Sequence, residues 1–129
     1  MPDRRRVFTG TPWEEEVGYC RAVRAGNLIF VTGTAPVTTE GGIFAPGDGY
    51  HQAKRCLEII AGAMKQLDAD LSHVVRTRMF VTDIERWKEF GRAHHEAFRA
   101  HPPTTSMIQV SRLIEPEMLI EIEADAVVP

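Results

Sequence analysis

The sequence predicts an α+β fold in which two helices cover one face of a single sheet. Two segments repeat their apolar residues at the spacing of amphipathic helices, and five segments alternate or are rich in β-branched and aromatic residues. Their order along the chain is ββαβαββ. Strands that are joined through a helix require at least one parallel pair. A length of 129 residues suits one hydrophobic core, so we expect a single domain over residues 1–129.

The first two strands form a predicted hairpin. Residues 18–24 and the LIFVTG segment that begins at Leu28 are separated by Ala25-Gly26-Asn27. Glycine and asparagine tolerate the positive φ angles of tight hairpin turns. The two strands should therefore pair in antiparallel fashion, and a glycine-rich loop, TEGGIFAPGDGY, follows them.

Two amphipathic helices follow from the positions of the apolar residues. In residues 50–67 these fall at 53, 56, 57, 60, 64 and 67, and Asp48 is placed to cap the start of the helix. The second helix is expected over residues 85–100, between an N-cap at Asp83 and the helix-stopping Pro102-Pro103. Its predicted buried stripe consists of Trp87, Phe90, Ala97 and Phe98.

Three further strands are predicted over residues 73–83, 105–112 and 119–127. In the first of them, alternation places Val75, Thr77, Met79 and Val81 on one face. In the last, the apolar residues occupy one face and the acidic residues the other. The apolar faces should pack under the two helices.

The sheet face opposite the helices should be mixed in character. We expect it to carry charged, polar and apolar side chains, namely Glu121, Glu123, Asp125, Arg76, Arg78, Thr105, Phe80 and Met107. Cross-strand pairs of arginine and glutamate would satisfy part of this face. Contacts between several subunits would cover the rest, so we expect a homo-oligomer.

Charge and composition argue against several classes of protein. A net charge of −3 disfavours a general nucleic-acid-binding protein, which needs a basic face, and Arg4-Arg5-Arg6 is expected to be a solvated tail. No apolar run approaches the roughly 18 residues that span a bilayer, and MPDRRRVFTG lacks the apolar core of a signal peptide. We therefore expect a cytoplasmic protein without membrane contact, in which Cys20 and Cys56 stay free thiols.

No motif predicts a metal or cofactor site. His94 and His95 are adjacent and diverge by about 100° on a helix, and the chain has no phosphate-binding glycine loop and no GxSxG elbow. Glu121 and Glu123 lie two residues apart on one face of a strand, about 7 Å from each other. The pair is consistent with acid–base catalysis and also with a structural role balanced by Arg76 and Arg78. The residues alone leave both interpretations open.

Four segments form a specific combination: LIFVTGTAP, the helix that begins at Gln52, VVRTRMFVTDIERWKEF, and SRL followed by IEIEADAVV. From about Gly18 to Val128 the chain resembles the RidA/YjgF family, also called the endoribonuclease L-PSP family. The resemblance implies a homotrimer of the chorismate-mutase-like fold with a small-molecule cleft between subunits. It also implies hydrolysis of reactive enamines or imines to ammonia and a 2-keto acid, without metal or cofactor. Some relatives are reported to cleave RNA or inhibit translation.

The resemblance assigns three residues to the cleft. The cleft tyrosine of the family falls on Tyr19, and the second-strand glycine, whose backbone approaches the ligand, falls on Gly33. The acidic residue of the IEIEA motif falls on Glu121. By resemblance, Glu121 would position or activate the attacking water.

Three further cleft positions depart from the pattern of the deaminating members. Thr105 stands where those members have an arginine, Met107 where they have a cysteine, and Gly91 where they have an asparagine. A guanidinium binds a substrate carboxylate through two parallel hydrogen bonds. Its loss inside a cleft costs about 1.5–3 kcal/mol, which is roughly 10- to 100-fold in affinity.

A 2-imino acid is therefore expected to bind poorly, unless Arg78, Arg92 or Arg112 supplies the missing charge. The sequence favours a Rid-type hydrolase that acts on an enamine, an imine or a related C–N substrate. A metabolite-binding trimer without turnover is the alternative. A ribonuclease or translation inhibitor ranks last.

Overall fold

The fold consists of six strands in one sheet and two α-helices, as seen in a computed structural model that describes residues 4–129. The strands are β1 (Arg4–Val7), β2 (Ala22–Ala25), β3 (Leu28–Thr34), β4 (Val74–Val81), β5 (Thr104–Gln109) and β6 (Ile120–Val127), and the helices are α1 (Gly49–Gln66) and α2 (Trp87–Phe98). The strand order across the sheet is β1-β2-β3-β6-β4-β5. The predicted ββαβαββ order is confirmed, with β1 added before it. Residues 1–3 of the predicted single domain lie outside the described residues.

Strand pairing follows the predicted connections. β2 and β3 form the antiparallel hairpin, with Gly26 and Asn27 as a two-residue turn and Gly26 at a φ of +63°. β6 lies antiparallel between β3 and β4. β4 and β5, which α2 connects, form the predicted parallel pair. β5 is thus an edge strand that is separated from β6 by β4.

The arginine run at the start of the chain forms a strand, which corrects the expectation of a solvated tail. Residues 4–6 pair with β2, and Arg5 forms an ion pair with Asp68 at 2.8 Å. The guanidinium groups of Arg5 and Arg24 also donate to the backbone oxygens of residues 66 and 67, at 2.9 and 2.7 Å. The C-terminal end of a helix carries partial negative charge, so these cations stabilise the end of α1.

The helix-facing side of the sheet holds the core. All six predicted apolar positions of α1 are buried, and so are Ile120, Ile122, Ala124 and Ala126 of β6. Asp48 caps α1 as predicted, by accepting a hydrogen bond from the backbone of His51 at 3.0 Å. Asp83 caps a short 3₁₀ turn, Ile84–Arg86, which leads into α2.

Two predicted core residues are exposed. Trp87 is 53% exposed, and Ala93 completes the buried stripe of α2 with Phe90 and Phe98. Helical side chains tilt towards the N-terminus, so the first side chain of α2 extends beyond the packed segment. Val75 is 48% exposed because a bulge in β4 removes it from the alternation, and Val74 is buried in its place.

The face of β5 also differs from the prediction. The parallel register pairs Thr105 with Thr77 and Met107 with Met79, and both partners are buried under the helices. Thr105 and Met107 therefore lie on the helix-facing side of the sheet, not on the mixed face with Glu121. The predicted cross-strand ion pairs are present at Arg78, which lies 3.3 Å from Glu123 and 3.5 Å from Asp125.

Candidate functional site

A pocket of about 440 Å³ lies where the segment before β2, the ends of β3 and β6, and α1 meet. Three residues predicted for the cleft, Tyr19, Gly33 and Glu121, line this pocket together. Their separation in the sequence is large, but β3 pairs with β6, and Gly33, in the irregular stretch between Val31 and Thr34, comes into contact with Glu121. Two arginines, Arg21 and Arg55, also line the wall.

Gly33 and Glu121 are in direct contact. A Cβ atom placed on Gly33 would lie 2.8 Å from Oε1 and 2.9 Å from Cδ of Glu121. Such distances are shorter than van der Waals contact, so the carboxylate occupies the space that any other residue at position 33 would need. A larger residue at position 33 would therefore have to displace this carboxylate, and backbone conformation gives no separate reason for glycine, since the φ of Gly33 lies outside the positive region.

The carboxyl group of Glu121 is half-buried, in surroundings that disfavour its ionised form. Burial raises the pKa of the Glu121 carboxyl above the usual glutamate range, the positive charge of Arg21 opposes this, and the negative charge of Glu123 adds to it. Within residues 4–129, no protein donor forms a hydrogen bond to this carboxylate. Its lone pairs are thus available to a water molecule or a ligand in the pocket.

A buried ion pair that the sequence did not reveal lies behind the pocket wall. Nη2 of Arg21 is 3.0 Å from Oε2 of Glu14, and both side chains are only 4% exposed. The backbone N–H of Thr9 donates to Glu14 at 3.0 Å. Burial acts to raise the pKa of Glu14, but hydrogen bonds from Thr9 and Arg21 outweigh it and hold the pKa below the usual range.

Arg21 connects this ion pair to the predicted site. Its Nη1 donates to the backbone oxygen of Gly33 at 2.9 Å, and its Nε donates to the hydroxyl of Thr9 at 3.2 Å. A π-helical turn, Glu14–Gly18, brings Glu14 to Arg21 and Tyr19 to the pocket, with a bond from Tyr19 N to Glu14 O of 2.9 Å. π-helical turns are frequent at functional sites. The sequence indicated the role of Arg21 only by placing a charged residue inside a predicted strand.

The other three predicted residues, Thr105, Met107 and Gly91, do not line this pocket. Thr105 belongs to a hydrogen-bonded chain in which the Thr77 hydroxyl donates to Thr105 at 2.7 Å and lies 2.7 Å from Nε2 of His94. A hydroxyl has one proton, so Thr77 accepts from the N–H of His94. Burial lowers the pKa of His94, which keeps the imidazole neutral. Met107 packs against the core, and Gly91 lies on α2.

Both cysteines are free thiols, and neither belongs to the pocket wall. Burial raises the pKa of the Cys56 thiol, and the charge of Glu121 raises it further. Among residues 4–129, no three His, Cys, Asp or Glu side chains are grouped so that they could hold a metal ion. The described part of the chain also has no helix of the length and apolar character needed to cross a membrane.

The titration of Glu121 gives a direct test of its contact with Gly33. In a Gly33→Ala variant the new methyl group displaces the flexible carboxylate, and the pKa of Glu121 should fall towards the usual glutamate value as the carboxyl gains water. Carbon-13 NMR of the side-chain carboxyl measures this. The matched control is Gly62→Ala on α1, where an added Cβ meets nothing within 4 Å. That variant should stabilise the fold by about 0.5–1 kcal/mol and leave the titration unchanged. An unchanged titration in Gly33→Ala would contradict the observed contact.

The fold and pocket define a class of small α+β proteins, in which two helices cover one sheet and a carboxylate from its central strand faces a cavity. The family model described as endoribonuclease L-PSP matches residues 11–128. The chain belongs to this family, the RidA/YjgF family.

Individual relatives support the family and the fold. The crystal structure of Rv2704, a member of the YjgF/YER057c/UK114 family from Mycobacterium tuberculosis, is 45% identical, with a TM-score of 0.87 over 98% of this chain and 100% of that one. The YjgF gene product of E. coli is 28% identical, with a TM-score of 0.80 over 94% and 95%. An uncharacterized protein of Streptomyces coelicolor is 33% identical over 95% of this chain and 90% of its own. The predicted fold class is confirmed.

Proposed function

We propose that this protein hydrolyses a small enamine, imine or related C–N substrate in the pocket beside Glu121. One observation carries the proposal. The Glu121 carboxyl has a raised pKa, lies in a pocket of about 440 Å³, and accepts no hydrogen bond from the rest of the described chain. A carboxylate that serves only structure is normally paired or hydrogen-bonded when it is buried. Pocket carboxylates with perturbed pKa values are typical of acid–base catalysis.

The reaction needs one group that moves protons. The Glu121 carboxylate accepts a proton from a water molecule as the water oxygen adds to the carbon of the C=N bond, and it returns this proton to the nitrogen to give a neutral carbinolamine. The carboxylate then takes the proton of the carbinolamine hydroxyl and delivers it to the leaving nitrogen, so that the C=O bond forms as the C–N bond breaks and ammonia departs. The reaction consumes one water and releases one ammonia, with no oxidant or metal.

The cleft is completed by neighbouring subunits in a homotrimer. In one chain the edge strand β5, with Thr105, is separated from Glu121 by β4, or about 10 Å across the sheet. The mixed sheet face exposes apolar side chains, including Phe30 and Ile108. Apposition of these faces would cover them and bring β5 of one subunit towards the pocket of the next. The proposed location remains the cytoplasm.

Ammonia release tests the proposal. The protein is supplied with 2-aminoacrylate, generated continuously by a lyase, and in parallel with a neutral imine. We expect release above the buffer rate with many turnovers per subunit for at least one of the two substrates. Release at the buffer rate with both, from protein that is folded and oligomeric, would rule out this activity.

A binding protein without turnover is the second candidate, favoured by the absence of the arginine at Thr105. Ligands would then stabilise the protein against heat without being consumed, and this stabilisation would persist in Glu121→Gln. A ribonuclease activity is disfavoured by the net charge of −3. RNA cleavage that survives Glu121→Gln would place that activity outside the pocket.

A further inference from the structure

The two arginines in the pocket wall differ in how their charge is used. The Arg21 guanidinium is neutralised by Glu14 at 3.0 Å, and its Nε and Nη1 donate to Thr9 and Gly33. Its charge is compensated by Glu14 and three of its nitrogens already have protein partners, so it is poorly suited to bind a ligand anion. Arg55, on α1, is 25% exposed, and within residues 4–129 its guanidinium makes one hydrogen bond, from Nε to the backbone oxygen of Val37 at 2.8 Å.

The terminal nitrogens of Arg55 have no acceptor among residues 4–129. The nearest carboxylate oxygen, Oε1 of Glu58, is 3.8 Å from Nη1, which is beyond hydrogen-bond distance. Glu58 is 55% exposed, so water screens this pair strongly. The Nη1–Nη2 edge of a guanidinium is one of the edges that match a carboxylate in a bidentate pair. On Arg55 this edge is unoccupied.

The surrounding loop holds Arg55 in place. Val37, whose oxygen accepts from Nε, is itself fixed by a bridge to Ile43 and also lines the pocket. The guanidinium therefore loses little further freedom when a ligand binds, which favours affinity.

We propose that Arg55 binds the carboxylate of a small anionic ligand whose reacting carbon faces Glu121. This inference rests on the proposed function, because it assigns the same pocket a substrate class. The anion is held by α1 of the subunit that carries Glu121, not by position 105. Small carboxylic acids with an imine or carbonyl at the 2-position are then substrates or products, even though the residue at position 105 is a threonine and carries no positive charge.

Within one chain, the arginines that the sequence suggested as replacements do not line the pocket. Arg78 is engaged by Glu123 and Asp125. The Arg92 guanidinium lies 3.6 Å from the centre of the Tyr50 ring. Neither of these residues nor Arg112 lines the pocket.

Direct binding of pyruvate and its neutral amide, pyruvamide, tests the proposal by calorimetry or NMR titration. In Arg55→Met, which removes the charge and keeps much of the apolar stem, pyruvate should bind about 10- to 100-fold more weakly, with pyruvamide unchanged. Arg55→Lys keeps the positive charge but lacks the two parallel N–H donors of a guanidinium, and it should lose less pyruvate affinity than Arg55→Met. The matched control is Lys54→Gln, which removes one positive charge from the same turn of α1 at an exposed position.

Two outcomes would overturn the role of Arg55. One is pyruvate affinity in Arg55→Met equal to that of the wild type, and the other is the absence of pyruvate binding to the wild type. Thermal unfolding of each variant excludes loss of the fold as the cause. Binding that depends on Arg55 without any turnover would refute hydrolysis but not this role. Turnover of a neutral imine together with Arg55-independent binding would refute this role but not hydrolysis.

Discussion

Replacing Glu14 with glutamine is expected to lower the free energy of unfolding by about 3–5 kcal/mol, because it leaves a buried arginine without its counter-charge. Glu14 and Arg21 are each 4% exposed and lie 3.0 Å apart. Glutamine has nearly the same shape, so the loss reflects charge rather than a cavity. Urea denaturation at a fixed protein concentration measures the change.

Two further variants separate this effect from a general loss of negative charge. Glu16→Gln removes the same charge at an exposed position of the same π-helical turn and should change the stability by no more than about 0.5 kcal/mol. The double variant Glu14→Gln, Arg21→Met removes both buried charges and should recover much of the loss. A Glu14→Gln variant as stable as the wild type would show that the buried charge of Arg21 does not need Glu14 as its counter-charge.

The same ion pair predicts a pH dependence. The pKa of Glu14 is lowered in the folded state, so its contribution is fully present above the unfolded value of about 4.3. It is lost as the pH falls below that value and through the folded pKa. The Glu14→Gln variant lacks this contribution at every pH, and the stability difference between variant and wild type should shrink in acid.

The fold was predictable because its signals are local. The apolar spacing of α1, the alternation in β6 and the Gly26-Asn27 turn each specify an element from neighbouring residues. The errors lie where a distant partner decides the outcome. Arg5 belongs to a strand because its backbone pairs with β2 and its side chain donates to the end of α1, and both partners are distant in the sequence.

The face of Thr105 illustrates this limit in the site. Alternation within β5 shows that Thr105 and Met107 share a face, but not which one. That choice is made by the register with β4, which places Thr105 beside the buried Thr77. The segment TTSMIQ has no clear apolar face of its own, so its sequence could not decide.

The pocket was predictable in part for a similar reason. Resemblance to a family identified Tyr19, Gly33 and Glu121, and the structure brings these three together. Arg21 and Arg55 were missed because a charged residue on a strand or an amphipathic helix normally faces water. Their surroundings depend on Glu14 and Val37, which no sequence pattern connects to them.

Replacing Glu121 with glutamine should reduce kcat/KM for the proposed hydrolysis by about 100- to 10,000-fold, because an amide cannot accept the proton from water. The loss is measured as ammonia release from whichever one of the two test substrates the wild type hydrolyses. Glu123→Gln is the matched control, since Glu123 lies on the same face of β6 but is paired with Arg78. Equal losses in the two variants would argue against a specific role for Glu121.

The pH profile of the wild type should carry the signature of the same group. Glu121 acts as a base only when it is deprotonated, so the rate should fall with acidification, and its raised pKa places this fall above the usual glutamate range. Removing the negative charge of Glu123 should lower the pKa of Glu121 and extend activity to lower pH. A profile that does not move in Glu123→Gln would assign the titration to another group.

The two glutamates should respond to the same substitution with opposite signs in stability. Folding raises the pKa of Glu121, so its ionised form costs stability at neutral pH, and Glu121→Gln should leave the fold as stable or more stable. Folding lowers the pKa of Glu14, so Glu14→Gln should destabilise it. A carboxylate that is kept although it costs stability is the expected mark of a functional group, because structure alone gives no reason to bury it unpaired. If Glu121→Gln instead destabilises the protein as Glu14→Gln does, Glu121 is a structural residue and the proposed chemistry loses its base.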